Sequence, residues 1–163
     1  MTTEPFRVAV SDEALDDLKR RLQRTNWADD FANDDWSYGT NAAYLKELVT
    51  YWLETFDWRA QEAAINALPQ YRITIDGIPV HFVHCRGKGD HPMPLIMSHG
   101  WPWTFWDFAK TIGPLTDPVA HGGDARDSFD VIIPSLPGFG FSSPLRTPGV
   151  NALRTADLWW TLM

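Results

Sequence analysis

The hydrophobic positions change period once along the chain, near Pro69, and the two periods predict two kinds of structure. Before that point they recur every three or four residues. Ser11 is placed to cap a helix, Asp12 and Glu13 suit its positive end, and Leu15, Leu18 and Leu22 share one face. Lys19, Arg20, Arg21 and Arg24 fall toward its negative end. Asn41 is placed to cap a second helix with Leu45, Leu48, Trp52 and Phe56 along one stripe. Asp57 does the same for a third, with Trp58, Ile65 and Leu68 facing inward and Pro69 closing it. Residues 28–40 have no period and read as a loop that Phe31, Trp36 and Tyr38 pin to an apolar surface. Residues 1–70 are therefore expected to form a helical region that wraps another body.

After Pro69 the period is two. Tyr71, Ile73 and Ile75 alternate with Arg72, Thr74 and Asp76, and Asp76-Gly77 signals a hairpin turn. Val80, Phe82 and His84 then alternate with His81, Val83 and Cys85 on the return strand, and residues 86–90 form a second turn. Residues 95–98 (Leu-Ile-Met-Ser) and 129–134 (FDVIIP) are short apolar runs, as strands buried on both faces would be. Between them, Thr104 and Asp107 mark a helix start that carries Phe105, Phe108, Ala109 and Ile112. Asn151 opens a last helical pattern, in which Leu153, Ala156, Trp160 and Met163 keep their spacing to the final residue without a glycine cap. An antiparallel hairpin followed by β-loop-α-β-loop-α predicts an α/β sheet built in chain order over residues 71–163 and cut inside a helix.

Composition narrows the function classes. The chain has 163 residues, 44% hydrophobic and 21% charged, which is the balance of a folded globular protein. Net charge is −7, and residues 1–70 carry most of it, with thirteen acids against seven bases. An acidic surface argues against nucleic acid as a partner. A single cysteine, Cys85, excludes an internal disulfide framework and a cysteine zinc cluster. No apolar run reaches membrane-spanning length, so a soluble cytoplasmic protein is expected.

In α/β sheets, ligands collect beyond the carboxyl ends of the strands. Two loops leave such ends here: residues 98–103 (Ser-His-Gly-Trp-Pro-Trp) and residues 135–144 (SLPGFGFSSP). Both mix glycine, proline and aromatic residues, which lets backbone approach a ligand while rings wall the space. Other chemistry is excluded by pattern. No Gly-x-Ser-x-Gly elbow occurs, and Gly138-Phe139-Gly140 lacks the third glycine of a dinucleotide fingerprint. His81 and His84, three apart on a strand, point to opposite faces and cannot share a metal. His121 reads as a solvated loop residue and Cys85 as a packed strand residue.

These motifs resemble a known family. His99-Gly100-Trp101-Pro102 is similar to the HGxP motif of α/β-hydrolase-fold epoxide hydrolases, and residues 134–142 (PSLPGFGFS) to the PSLPGxGFS segment that follows it. Residues 35–39 (DWSYG), 56–62 (FDWRAQE) and 75–82 (IDGIPVHF) resemble the N-terminal region of the microsomal and juvenile-hormone branch. The fold this implies is the first half of an α/β-hydrolase sheet, preceded by a helical epoxide-hydrolase N-terminal region. The chemistry it implies is two-step: an aspartate attacks an epoxide carbon while lid tyrosines stabilise the opening oxygen. A histidine paired with an acid then activates water to cleave the ester. No metal or organic cofactor is implied, and the substrate is a small apolar epoxide.

By the same resemblance, the backbone N–H of Trp101 is one oxyanion donor, with His99, Gly100 and Pro102 shaping its loop. A cis or strained Pro102 linkage would turn that N–H toward the pocket. Trp103, Phe139 and Phe141 are the expected pocket walls, and Trp103-Thr104 stands where the family usually has Gly-Ser. The nucleophile, acid and base would all lie beyond Met163. Gly122-Gly123-Asp124 imitates the nucleophile triplet, but it precedes a strand instead of following one, so Asp124 is read as non-catalytic. The chain alone is therefore expected to turn over no epoxide. Two rival readings are an ester or haloalkane hydrolase of the same fold, and a non-catalytic chain that pairs with a complementary C-terminal half or with itself through an open sheet edge.

Overall fold

Local capping explains where the helices begin. In the computed structural model, which describes residues 2–163, the Ser11 hydroxyl accepts the N–H of Ala14 and starts α1 (Asp12–Gln23). Asn41 accepts the N–H of Tyr44 and starts α2 (Ala42–Glu54), and Asp57 accepts that of Ala60 at the head of α3 (Trp58–Ile65). Arg59 reaches back from α3 to the Val10 carbonyl, Asp12 and Glu62, while Glu62 takes the Val10 N–H at 2.7 Å. The predicted stripe of α2 is not a core. Leu48, Trp52 and Phe56 are exposed and line an apolar groove of about 370 Å³ with Leu15, Leu18 and Trp58. A segment of this size cannot enclose so many large side chains by itself. The third helix also ends earlier than expected, at Ile65, where the Gln70 side-chain amide takes over the Ile65 carbonyl at 2.9 Å.

The remaining elements form one sheet. A short β1 (Glu4–Pro5) pairs antiparallel with β2 (Gln70–Ile75), and β2 pairs antiparallel with β3 (Ile78–Cys85). The β2–β3 hairpin closes on Asp76 and Gly77, both at positive φ (51° and 77°), the two-residue turn whose twist matches the strands. Next come β4 (Met93–Ile96), a 3-10 turn (Phe105–Phe108), α4 (Ala109–Thr116), β5 (Phe129–Pro134) and α5 (Ala152–Leu162). The strand order is β1-β2-β3-β5-β4, with β5 antiparallel to β3 and parallel to β4.

This order corrects the expectation of a sheet built in sequence. Among the described residues, β5 lies between β3 and β4, and β4 is the outermost strand. Side-chain chemistry accounts for the exchange. Val131, Ile132, Ile133 and Pro134 are all buried, so β5 needs cover on both faces, whereas Met93 is 63% exposed. The outermost strand also starts two residues earlier than expected and stops at Ile96, although Met97 adds one more bond to the Ile132 carbonyl.

Each sheet face has its own packing. Ile75, Ile78 and Val80 pack on one face with Leu158 of α5, which is 1% exposed, and Ile73 and Leu162 join them. His81, Val83, Cys85, Val131 and Ile133 share the other face, where the Phe105 ring lies 4.8 Å from that of His81. The chain forms two compact units, one over residues 8–63 and one comprising residues up to Arg7 together with residues 64–163. Among the described residues, no helix is long and apolar enough to cross a membrane.

Candidate functional site

Both loops singled out in the sequence leave the carboxyl ends of the parallel pair β4 and β5. The first, residues 98–103, is closed by a bond from the Trp103 N–H to the Gly100 carbonyl at 2.8 Å. It runs into a capping box, in which Thr104 and Asp107 exchange side-chain and backbone bonds and direct Phe105 into the core. The Trp101–Pro102 bond is cis. Trp101 is 83% exposed and Trp103 63%, and among the described residues nothing accepts a hydrogen bond from the Trp101 N–H.

The second loop folds on itself. Phe139 donates to the Leu136 carbonyl at 2.9 Å, Ser142 to the Phe139 carbonyl at 2.9 Å, and Gly138 to the Ser142 carbonyl at 3.1 Å. These turns carry Gly138 and Gly140 through positive φ (84° and 47°). A Cβ on Gly140 would stand 3.3 Å from the Ser135 hydroxyl, so the loop is packed tightly where it leaves the strand. Arg72 holds the far side, donating to the carbonyls of Phe141 and Ser143.

His99 joins the two loops. Its Nε2 accepts the Leu136 N–H at 3.1 Å, and its Nδ1 stands 3.3 Å from the Gly100 carbonyl. A backbone N–H only donates, so Nε2 carries a lone pair and the ring proton sits on Nδ1. The Phe139 ring packs edge-on against the imidazole, with centroids 5.7 Å apart. Beside this junction lies a crevice of about 500 Å³ between Ser98, Leu136, Pro137 and Phe139 on the loops and Val150, Thr155 and Trp159 at α5. Its walls are mainly apolar, and the Trp159 indole donates to the Ser98 hydroxyl at 3.3 Å.

The structure thus brings His99, Gly100 and Phe139 together, with Trp101, Pro102 and Trp103 continuing the same loop. Phe141 goes elsewhere. Its ring packs 5.2 Å from those of Phe6 and His81 and 5.9 Å from Phe105, beneath the loop and away from the crevice. Asp124 lies in the loop between α4 and β5, caps a 3-10 turn (Ala125–Asp127), and has its carboxylate held below the usual range by Arg126 at 2.6 Å.

The sequence marks His81 as a structural histidine but does not reveal its partners in the second loop. His81, fully buried, bridges the Ser135 hydroxyl (2.9 Å) and the Gln70 side-chain oxygen (3.1 Å). Its backbone N–H donates to the Ser142 hydroxyl, which in turn donates to the Ser135 carbonyl at 2.7 Å. Burial, reinforced by nearby Arg72, pushes the His81 pKa down to about 3, so the ring stays neutral. His84 lies on the opposite face, 6.5 Å from the Tyr71 ring, and its pKa is lowered by burial and then by Arg86.

The sheet and its strand-end crevice define an α/β-hydrolase scaffold, shared with an Aspergillus niger epoxide hydrolase (29% identity, TM-score 0.85) and the silkworm Bombyx mori juvenile hormone epoxide hydrolase (28%, TM-score 0.87). The likeness covers 100% and 99% of this chain, and 43% and 38% of those chains. Residues 3–108 match the family model described as the epoxide hydrolase N terminus, and the chain belongs to the epoxide hydrolase family. It is 48% identical to a putative epoxide hydrolase of Stigmatella aurantiaca and 40% identical to epoxide hydrolase 1 of Oryctolagus cuniculus. Each match covers 98% of this chain, which spans 36% of either relative's length.

Proposed function

We propose that this chain carries the oxyanion side of an epoxide hydrolase centre, with the backbone N–H of Trp101 as one donor. The carboxylate nucleophile, lid tyrosines, acid and base come from sequence outside these 163 residues. In the complete protein an aspartate oxygen attacks an epoxide carbon, the ring C–O bond breaks, and a tyrosine hydroxyl stabilises and protonates the released oxygen. Water, deprotonated by the histidine, then adds to the ester carbonyl, and the resulting tetrahedral anion collapses to diol and free carboxylate. Preorganised N–H donors stabilise that anion, a task worth about 3–4 kcal/mol per donor.

The observation that carries this reading is the junction of the two strand-end loops at His99 beside an apolar crevice lined by Ser98, Leu136 and Phe139, together with a Trp101 N–H that has no acceptor among the described residues. The wall chemistry of Leu136, Pro137, Phe139 and Val150 favours a small apolar epoxide. The test is a single turnover in ¹⁸O-labelled water with protein translated from the reading frame continued past codon 163. An aspartyl ester route delivers diol without label in the first turnover, because the new oxygen comes from the carboxylate. Labelled diol in that turnover would mean direct attack by water and overturn the reading.

A further inference from the structure

We propose that His99 and His81 act in series as positioning residues that aim the Trp101 N–H, through two sets of directed hydrogen bonds joined by the Ser135–Leu136 backbone. The inference rests on the proposed oxyanion role of that N–H. Its geometric core is the Gly100–Trp101 peptide, which is trans and planar, so its C=O and N–H point in opposite directions. Whatever holds the Gly100 carbonyl therefore sets the direction of the Trp101 N–H. Two donors hold it: the Trp103 N–H at 2.8 Å and the Nδ1–H of His99 at 3.3 Å.

His99 donates from Nδ1 only because Leu136 occupies Nε2. Leu136 is anchored in turn by the residue before it. Ser135 bonds His81 twice, through its N–H to the His81 carbonyl at 2.8 Å and through its hydroxyl to Nδ1 at 2.9 Å. Proton positions along the chain follow one another. Gln70 donates its amide N–H to the Ile65 carbonyl, which turns the amide oxygen toward His81 Nε2. His81 therefore carries its proton on Nε2 and accepts at Nδ1 from the Ser135 hydroxyl. Gln70, His81 and Ser135 are all buried, and Phe6, Phe105 and Phe141 pack around the His81 ring. Water does not compete for these bonds, so each leaves one proton arrangement. The outcome is a fixed line from the end of α3 to the peptide that bears the donor.

The test uses the 163-residue chain and long-range ¹H–¹⁵N spectra of its imidazoles, with amide hydrogen exchange. The expected result is His81 as the Nε2–H tautomer and His99 as the Nδ1–H tautomer. In His99→Leu, exchange at the Leu136 amide should rise about tenfold, the size of one lost hydrogen bond, and the Trp101 amide shift should move, while β3–β5 amides stay protected. His99→Gln keeps an acceptor for Leu136 and should restore part of that protection. Ser135→Ala should leave His81 as the Nε2–H tautomer that Gln70 sets, and should move the Trp101 amide shift in the same direction as His99→Leu. Wild-type-like behaviour at Trp101 in both His99→Leu and Ser135→Ala, with the β3–β5 amides intact, would overturn the proposal, as would the opposite His99 tautomer. An intact relay in a complete protein that opens no epoxide would instead sink the proposed function and leave the positioning chain standing.

Discussion

The Leu136 amide and the His99 imidazole are 37 residues apart in sequence and 3.1 Å apart in space. That bond ties the loop after β4 to the loop after β5, and His99 is buried. Removing the acceptor while keeping the ring, as in His99→Phe, leaves a part-buried N–H without a partner. The expected cost is about 1–3 kcal/mol of unfolding free energy, read from urea midpoints with an unchanged slope. No shift in the midpoint would show that Leu136 finds another acceptor and that the junction is incidental.

His81 makes stability depend on pH in a defined direction. Its pKa is about 3 in the fold against an ordinary value of 6.5, so between those values the unfolded chain binds a proton that the folded chain refuses. The contribution is complete above pH 6.5 and is lost as pH falls toward 3, at roughly 1.4 kcal/mol per pH unit from this one group. The direct check is an NMR titration of the native chain. The His81 ring signals should hold their neutral-form positions from pH 8 down to about pH 4. A midpoint near pH 6 would mean that the ring exchanges with solvent and is not sealed by Phe6, Phe105 and Phe141.

The hairpin turn offers a backbone test. Gly77 sits at φ +77° with open space around the position of a missing Cβ, so a substitution there is a matter of strain and not of clash. Gly77→Val should cost about 1–2 kcal/mol, since a β-branched residue resists the left-handed region. Asp76 already pays part of this cost at φ 51°, while its carboxylate accepts from Arg154 at 2.8 Å. Thermal unfolding of the variant with its β2–β3 amide pattern preserved would confirm that the register survives. An unchanged melting temperature would show that the turn relaxes.

The same hairpin shows what local sequence can and cannot convey. Asp76-Gly77, and the caps at Ser11, Asn41, Asp57, Thr104 and Asn151, were legible because each acts within three residues of its own position. The two strand-end loops were legible for a similar reason, because glycine and proline mark where a strand must stop. Sheet order was not, since the crossover through α4 decides which neighbour β5 meets, and no residue of β5 encodes that choice alone. The Gln70–His81–Ser135 chain was hidden for the same physical reason: His81 and Ser135 are 54 residues apart, and each reads locally as an ordinary strand or loop residue. Phe141 shows the converse error of proximity. Two residues from Phe139, it turns the other way, because Gly140 at positive φ redirects the backbone between them.

Leu158 is the only buried residue of α5 and the point where that helix meets Ile75, Ile78 and Val80. Leu158→Ala should lose about 2–5 kcal/mol, the range for a leucine truncated in a closed core. The loss should appear first as faster exchange along α5, with α4 unaffected, because it packs on the opposite face. Uniform loosening of the whole sheet would argue that α5 is integral to its folding and does not simply rest on it.

Trp103 gives a test that bears on substrate size. It is 63% exposed, and its N–H closes the loop onto the Gly100 carbonyl at 2.8 Å. Because the side chain is exposed, Trp103→Gly should change stability by less than ~1 kcal/mol once the added backbone freedom is counted. Its effect should fall on selection instead. In the complete protein, kcat/KM for a bulky aryl epoxide should rise relative to that for a small alkyl epoxide, by roughly the ten-to-hundredfold that a change of pocket shape supplies. The ratio isolates the pocket, since any general damage to catalysis lowers both values together. A ratio equal to that of the unsubstituted protein would place the Trp103 indole outside the path of the substrate and leave Phe139 as the aromatic wall nearest His99.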